Sequence, residues 1–363
     1  MPDDAPAIDV EVVARLAGAQ VRETDTPRHR GRSRVSRFRV DGPGGGSVVA
    51  KRFAEAHSYA NEVASLRLLD GASVAPALRG SDDATLTFLM EDLGTPPNTA
   101  DAFQHGTELD ATMAFLATAD ALGRMHSSTF GREGEWLAMR GSRAGMPSRF
   151  HHGELLGIDD FTDALAKVGC PADEGALAEM RALEERLREP GPWLALTHGD
   201  PCPDNVLLVA GRAVVIDFEF ASFRQALSDA VYPRMVFPTC WCASRVPANI
   251  VREFEDRYRA AIVDGCPPAA DDGAWERSLA DACAMRLVSS VGWLLPQTLD
   301  ANWPWGIATA RQRFVPRLQA FLDTPGVSRE FPRLAAYCER AIACLQARWS
   351  DEENVLPVFP PFR

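Results

Sequence analysis

Asp200 and Asn205 lie five residues apart in the stretch His198-Gly199-Asp200-Pro201-Cys202-Pro203-Asp204-Asn205. A further carboxylate, Asp217, follows twelve residues after Asn205, at the end of the apolar run Val214-Val215-Ile216. Phosphoryl transfer from ATP to a hydroxyl needs this set of groups: one carboxylate to orient the attacking hydroxyl, and an amide with a second carboxylate to hold Mg2+ against the phosphates. Asp200 is the candidate base. Asn205 and Asp217 are the candidate metal ligands. His198 is expected to brace the loop by hydrogen bonding. Asp-Pro and Pro-Asp-Asn are also good turn formers in any protein. A turn alone does not explain why a strand–turn–strand ending in Ile216-Asp217 follows at the spacing a metal site needs.

The chain holds 38 Lys and Arg, of which Lys51 and Lys167 are the lysines. A compact ammonium fits between phosphates and a carboxylate as a point charge, a task for which a planar guanidinium is less suited. Lys51 is therefore read as pairing with Glu62 to position the α- and β-phosphates. The plainer reading is a surface lysine and a helical glutamate that never meet. Residues 35–40 and 48–53 alternate as the two strands of a hairpin across the turn 41–47, with Lys51 inside the second. Residues 58–70 show helical spacing and carry Glu62. A strand at 85–90 is broken at 91–94.

The Gly44-Gly-Gly46 run is not a phosphate loop, because no Gly-Lys-Ser/Thr follows and a strand comes next rather than a helix. Backbone amides near Gly31 to Ser33, in Arg28-His-Arg-Gly-Arg-Ser-Arg34, are the better candidates to meet phosphates. A solvated basic turn is an equal reading of that stretch.

Helical spacing is predicted at 107–126, 159–168, 174–188, 249–263, 273–295, 307–322 and 329–348. Short strands are predicted at 194–197, 206–209 and 213–216. Residues 130–157 read as an irregular insert and 355–363 as an extended tail. The fold class is α+β: a small antiparallel-sheet lobe over residues 1–94, then a mainly helical lobe. In the second lobe, 95–245 carries the catalytic loop and magnesium site, and 246–363 forms a helical subdomain for the acceptor.

Composition narrows the function. At 363 residues, 46% hydrophobic and 24% charged, the chain can bury a large core. A net charge of -12 argues against nucleic-acid binding, which needs a basic surface. The acidic excess falls in residues 61–229, with 27 acidic against 13 basic side chains. Such a field favours a cationic substrate, although solubility is the plainer reading. The eight cysteines form no C-x-x-C pair, so zinc is not expected and buried free thiols in a reducing cytoplasm are. The acidic N-terminus lacks the apolar core of a signal peptide, and the apolar stretch 287–299 is short and interrupted by Pro296, so no membrane span is expected. The His151-His152 pair is a poor metal site. Trp241, Trp293, Trp303 and Trp305 are acceptor-pocket candidates for which helix packing is the default.

These motifs together resemble the aminoglycoside phosphotransferase and choline kinase family. The resemblance rests on Val49-Ala-Lys51, Glu62, Leu89-Met-Glu-Asp-Leu-Gly94, Ala121-Leu-Gly-Arg-Met-His126, His198-Gly-Asp-x-x-x-x-Asn205, Ile216-Asp-Phe-Glu219 and Asp229. It implies a two-lobed protein-kinase-like fold, ATP and Mg2+ as cofactors, and adenine read by backbone groups near Glu91 and Leu93. It also implies a small-molecule hydroxyl acceptor bound by the helical C-terminal region, with an aminoglycoside-like antibiotic as the first expectation. Choline, ethanolamine, homoserine or a sugar derivative is the alternative, and a nucleotide-binding pseudokinase is a rival of another class. A protein kinase is disfavoured, since no Asp-Phe-Gly or Ala-Pro-Glu is present.

Overall fold

The computed structural model describes residues 6–24, 28–30, 32–42, 45–141 and 156–363. The N-terminal region is built on an antiparallel sheet in the order Val21–Glu23, Ser33–Val40, Ser47–Phe53, Thr87–Glu91, Leu78–Asp82, with Arg28–Arg30 also pairing with Ser33–Val40. Successive side chains on a strand face opposite ways. Ala50 accordingly joins Phe38, Leu89 and Val13 in a small core, which the helix Val10–Ala17 supplies with Val13. Lys51 and Phe53 face the other way, and the Lys51 ammonium lies 4.6 Å from the Phe53 ring centroid. Phe53 and Phe88 join the main core with Tyr59 and Val63 of the helix Ala56–Leu68. One strand thus separates two cores and presents a single buried ammonium between strand and helix.

The predicted hairpin and the helix bearing Glu62 form as expected, within two residues at each end. Helix Val10–Ala17 and strand Val21–Glu23 were not expected from the sequence; eight residues and three residues are too short for a periodicity to register. The basic stretch 28–34 does not form an open loop. Arg28–Arg30 and Ser33–Val35 pair as a tight hairpin, and Gly31 lies outside the described residues, as does His151-His152.

The remainder is mostly helical. Helix Glu108–Ser127 begins with a reciprocal capping box between Thr107 and Asp110 and crosses helix Ala248–Ile262. Helix Asp272–Thr298 is, among the described residues, the one long and apolar enough by composition to cross a membrane, but 89% of its apolar window is buried inside the protein. It is a core helix. Its Pro296 sits in the last turn rather than ending it.

Three expectations are corrected. The insert 130–157 contains the helix Glu133–Arg140, anchored by Trp136, which is fully buried with its indole N–H donated to Ser65 Oγ at 3.1 Å. Residues 307–313 form a small hairpin end and a single turn, so the following helix spans only Phe314–Leu322. Cys202 and Cys240 form a disulfide, while the other six cysteines are free thiols, five of them buried as expected. That bond removes the inference from free thiols to a reducing compartment.

Gly123 marks the helix crossing. A Cβ built there would lie 2.5 Å from Ala261 Cβ. Gly→Ala in a helix normally gains about 1 kcal/mol, whereas overpacking a tight contact costs about 1–3 kcal/mol. Gly123→Ala is expected to lower stability in urea unfolding, and Ala261→Gly in the same chain to restore it.

Candidate active site

The strand Ser47–Phe53, the helix Ala56–Leu68 and the turn after strand Arg212–Val215 converge on one ammonium. Lys51 Nζ donates to Glu62 Oε2 at 2.6 Å and to Asp217 Oδ1 at 2.5 Å. The sequence placed Lys51 with Glu62; the structure adds Asp217 to the same ammonium. Asp217 sits at φ 71°, ψ 61°, a left-handed conformation that aspartate tolerates better than most residues. It turns the chain from the strand into Phe218–Phe220. Asn61 holds that turn by donating Nδ2 to the Glu219 carbonyl at 3.0 Å, and Asn61 Oδ1 in turn accepts from Arg140 Nε at 2.7 Å.

Charge is unbalanced here. Burial would lower the Lys51 pKa, but the Asp217 and Glu62 carboxylates raise it above its ordinary value. Burial pushes Glu62 up to about 8 despite Lys51, and burial with Asp217 pushes Glu219 up to about 7. Arg32, over the Phe220 ring at 4.9 Å, offsets part of the excess. Three carboxylates against one ammonium and a nearby guanidinium leave room for a divalent cation.

The loop residues are held by a separate scaffold. The Asp200 N–H donates to His198 Nδ1 at 3.2 Å, so the other ring nitrogen carries the proton and donates to the Ile216 carbonyl at 2.9 Å. His198 is a brace, as expected. The Asp229 carboxylate is fully buried and accepts the His198 N–H at 2.5 Å and the Gly199 N–H at 3.1 Å. Burial alone would raise its pKa; the His126 hydrogen bond and the nearby Arg286 charge outweigh this and hold it at about 2. His126 Nε2 lies 3.4 Å from Asp229, and Nδ1 lies 2.6 Å from the Tyr258 hydroxyl. Asp229 lies within the short helix Leu227–Ala230.

Asn205 donates Nδ2 to the Asp200 carbonyl at 3.1 Å. This engages the amide nitrogen with the loop and leaves the Oδ1 lone pairs to ligate a metal. Asn205 Oδ1 and the Asp217 carboxylate are hard oxygen ligands of the type Mg2+ takes, so the residues fit that ion. The alternative trio of Asp200, Cys202 and Cys240 offers no thiolate, because its two cysteines are bonded to each other.

A cleft of about 410 Å3 opens over this floor, with Val49, Met90, Leu207 and Ile216 as apolar walls. Glu91 and Leu93 also line it, and the Glu91 carboxylate accepts the Ala77 N–H at 3.2 Å. Ser33 is not among the described residues lining this cleft; it is buried in strand Ser33–Val40. Arg32 rather than Ser33 is the residue of that hairpin placed over the turn. Sequence reasoning missed Asn61, Tyr232 and Thr239, which carry no motif. Both hydroxyls meet Asp200 Oδ1, Tyr232 at 3.2 Å and Thr239 by a short hydrogen bond. No role was expected for Glu219, whose carboxyl is pushed up by burial beside Asp217.

The model of a phosphotransferase enzyme family matches residues 25–278. Among solved structures, the chain is similar to a choline/ethanolamine kinase family protein from Mesorhizobium loti, at 19% identity over 86% of this chain and 93% of that one, with a TM-score of 0.49. It is similar to a putative fructosamine-3-kinase from Thermobifida fusca YX-ER1, at 18% identity over 93% and 97%, with a TM-score of 0.46. It is also similar to a thermostable mutant of an aminoglycoside phosphotransferase in complex with ADP and hygromycin B, at 13% identity over 92% and 98%, with a TM-score of 0.45. Comparison with curated proteins gives no match.

The Glu62 shift has a sign. Its folded value of about 8 lies above the ordinary 4.5, so the folded state keeps a proton that the unfolded chain has lost. The resulting stabilisation is full below the unfolded value and disappears as pH rises through the folded one. Thermal unfolding of the wild type is expected to lose more stability than Glu62→Gln between about pH 5 and 8. Parallel profiles would place that proton elsewhere.

Proposed function

The chain belongs to the phosphotransferase enzyme family, and on that premise we propose that it transfers the γ-phosphate of ATP to a hydroxyl of a small, cationic molecule. The observation that carries the reading is the convergence of Glu62 and Asp217 on Lys51 at the floor of the cleft, beside a loop that holds Asp200 and Asn205. Lys51 would meet the α- and β-phosphates, with Glu62 fixing its direction. The adenine would lie between the apolar walls, near the backbone of Glu91 and Leu93. Asn205 and Asp217 would hold Mg2+, which supplies charge neutralisation along the phosphates. Asp200 would take the acceptor hydroxyl's proton as its oxygen bonds to the γ-phosphorus and the bond to ADP breaks. Transfer is direct, with no phosphorylated side chain on the path.

An aminoglycoside-like antibiotic is the first acceptor class, supported by the acidic excess of residues 61–229. One observation favours a smaller amino alcohol instead. Trp241 donates its indole N–H to Asp204 Oδ2 at 3.0 Å, and the Trp241 and Trp293 side chains remain 39% and 50% exposed. Indole faces beside one carboxylate suit a compact ammonium, whereas a polycation calls for several carboxylates.

ADP release with Mg-ATP across aminoglycosides, choline, ethanolamine, homoserine and sugars tests the reading and assigns the acceptor class. Asp200→Asn should cut turnover by about 100- to 10,000-fold with nucleotide binding near normal. Wild-type turnover in that variant would remove Asp200 as the base. In calorimetry, Asp217→Ala should weaken nucleotide binding in Mg2+ while leaving the metal-free affinity little changed; an unaltered Mg2+ dependence would move the metal site.

A further inference from the structure

Asp200 is gripped by two hydroxyls from outside its own loop. Thr239 donates its hydroxyl to Asp200 Oδ1 in a short hydrogen bond, and the Tyr232 hydroxyl lies 2.9 Å from Thr239 Oγ1 and 3.2 Å from the same carboxylate oxygen. Each hydroxyl has one proton. Thr239 gives its proton to Asp200, so its oxygen is free to accept from Tyr232, whose hydroxyl also has the Gly199 carbonyl within reach at 3.1 Å. Asp200 Oδ2 has no hydrogen-bond partner among the described residues.

The segment that delivers Thr239 is built at a cost. Val236 and Phe237 both sit at φ 51°, a left-handed conformation that is strained for a β-branched or bulky residue. Such strain persists where the surroundings over-determine the backbone, and it gathers at functional sites. The surroundings here are two guanidinium groups, each fully buried. Arg317 donates to the carbonyls of Met235 at 3.3 Å and Pro238 at 3.1 Å. Arg313 donates to the carbonyls of Cys240 at 2.5 Å and Trp241 at 3.2 Å. Neither has a carboxylate partner among the described residues; Arg313 also donates to the Trp305 carbonyl at 2.6 Å and Arg317 to Ser290 Oγ at 3.1 Å, so the two buried charges tie the strap to the helical region. The Cys202–Cys240 disulfide then ties the strap to the catalytic loop, joining the residue after Thr239 to the second residue after Asp200.

We propose that Thr239 is a positioning residue for Asp200, held in place by the strap 235–241 and its disulfide. It fixes Oδ1, so that Oδ2 is presented to the acceptor's proton. This rests on Asp200 being the base. A merely structural reading, in which the hydroxyls only satisfy a half-buried carboxylate, makes a different prediction.

The test compares Thr239→Val, which keeps the shape and removes the hydroxyl, with Thr239→Ser, which keeps the hydroxyl. Activity is read as ADP release from Mg-ATP, using the acceptor that turns over in the panel above, or water where none does. Thr239→Val is expected to lose about 10- to 100-fold in kcat, the scale of a small misplacement of a reacting group. Acceptor KM and Mg-ATP affinity should stay near wild type, and Thr239→Ser should recover most of the loss. Hydrogen exchange of the amides in 199–205 should quicken in Thr239→Val and in the Cys202→Ala/Cys240→Ala double variant, but not in Thr239→Ser. An unchanged kcat and unchanged loop exchange in Thr239→Val would overturn the proposal, as would a serine variant as impaired as the valine one. If Asp200→Asn itself kept full turnover, the base assignment would fall, and this inference with it. An inactive Asp200→Asn beside a fully active Thr239→Val would overturn the positioning role alone.

Discussion

One buried ammonium sets the terms for the rest of the site. Lys51 lies eleven residues from Glu62 and 166 from Asp217 along the chain, yet donates to both. A buried charge costs several kcal/mol unless it is paired and hydrogen-bonded, so the strand, the helix and the Asp217 turn cannot shift independently. The two cores on either side of strand Ser47–Phe53 keep the ammonium in place. The charge balance is left incomplete: with Glu62, Asp217 and Glu219 around it, the pocket favours protons or an added cation. A site that is electrostatically unsatisfied by itself is suited to a ligand that brings positive charge with it.

The loop from His198 to Asn205 obeys a different constraint. Its shape is dictated by backbone N–H groups that must find acceptors once buried. Asp229 takes two of them, from His198 and Gly199, and His198 takes the Asp200 N–H. Asp229 is itself held by His126 and Arg286, and His126 by Tyr258, so the loop is anchored through three helices. Gly199 sits at φ 87°, and a Cβ there would lie 2.5 Å from the Phe220 carbonyl. That accounts for glycine at this position, where the loop passes close to the Asp217–Phe220 turn.

The C-terminal helical region contributes to the same site at a distance. Arg313 and Arg317 bring it to the strap at 235–241, and the disulfide closes the link to the loop. Burial lowers their pKa values to about 10 and about 9, which still leaves both charged at neutral pH. Trp241, on the next residue after the bridged Cys240, then faces Asp204. Asp200, the strap and the exposed Trp241 are therefore tied to the helical region by one continuous set of contacts.

Local information was enough for part of this. The alternation of residues 35–53, the helical spacing around Glu62 and the spacing of Asp200, Asn205 and Asp217 are read within a few turns of chain, and the corresponding hairpin, helix and loop stand where periodicity placed them. The scarcity of lysine singled out Lys51. What depends on contacts between distant segments was not legible. Ser33 looked like a loop residue because nothing local shows that Arg28–Arg30 folds back on its strand. Cys202 and Cys240 looked like two of eight scattered thiols, because a disulfide needs spatial proximity and spacing alone does not provide it. Thr239, Tyr232 and Asn61 belong to no pattern, since each matters through hydrogen bonds to residues far along the chain. The sequence by itself determined the chemical groups and the local elements that carry them, because turns, periodicity and charge type are short-range properties. Tertiary structure alone decided which oxygen of Asp200 is held, that Asp217 shares Lys51 with Glu62 and which cysteines meet, because these contacts join segments 39, 166 and 38 residues apart along the chain.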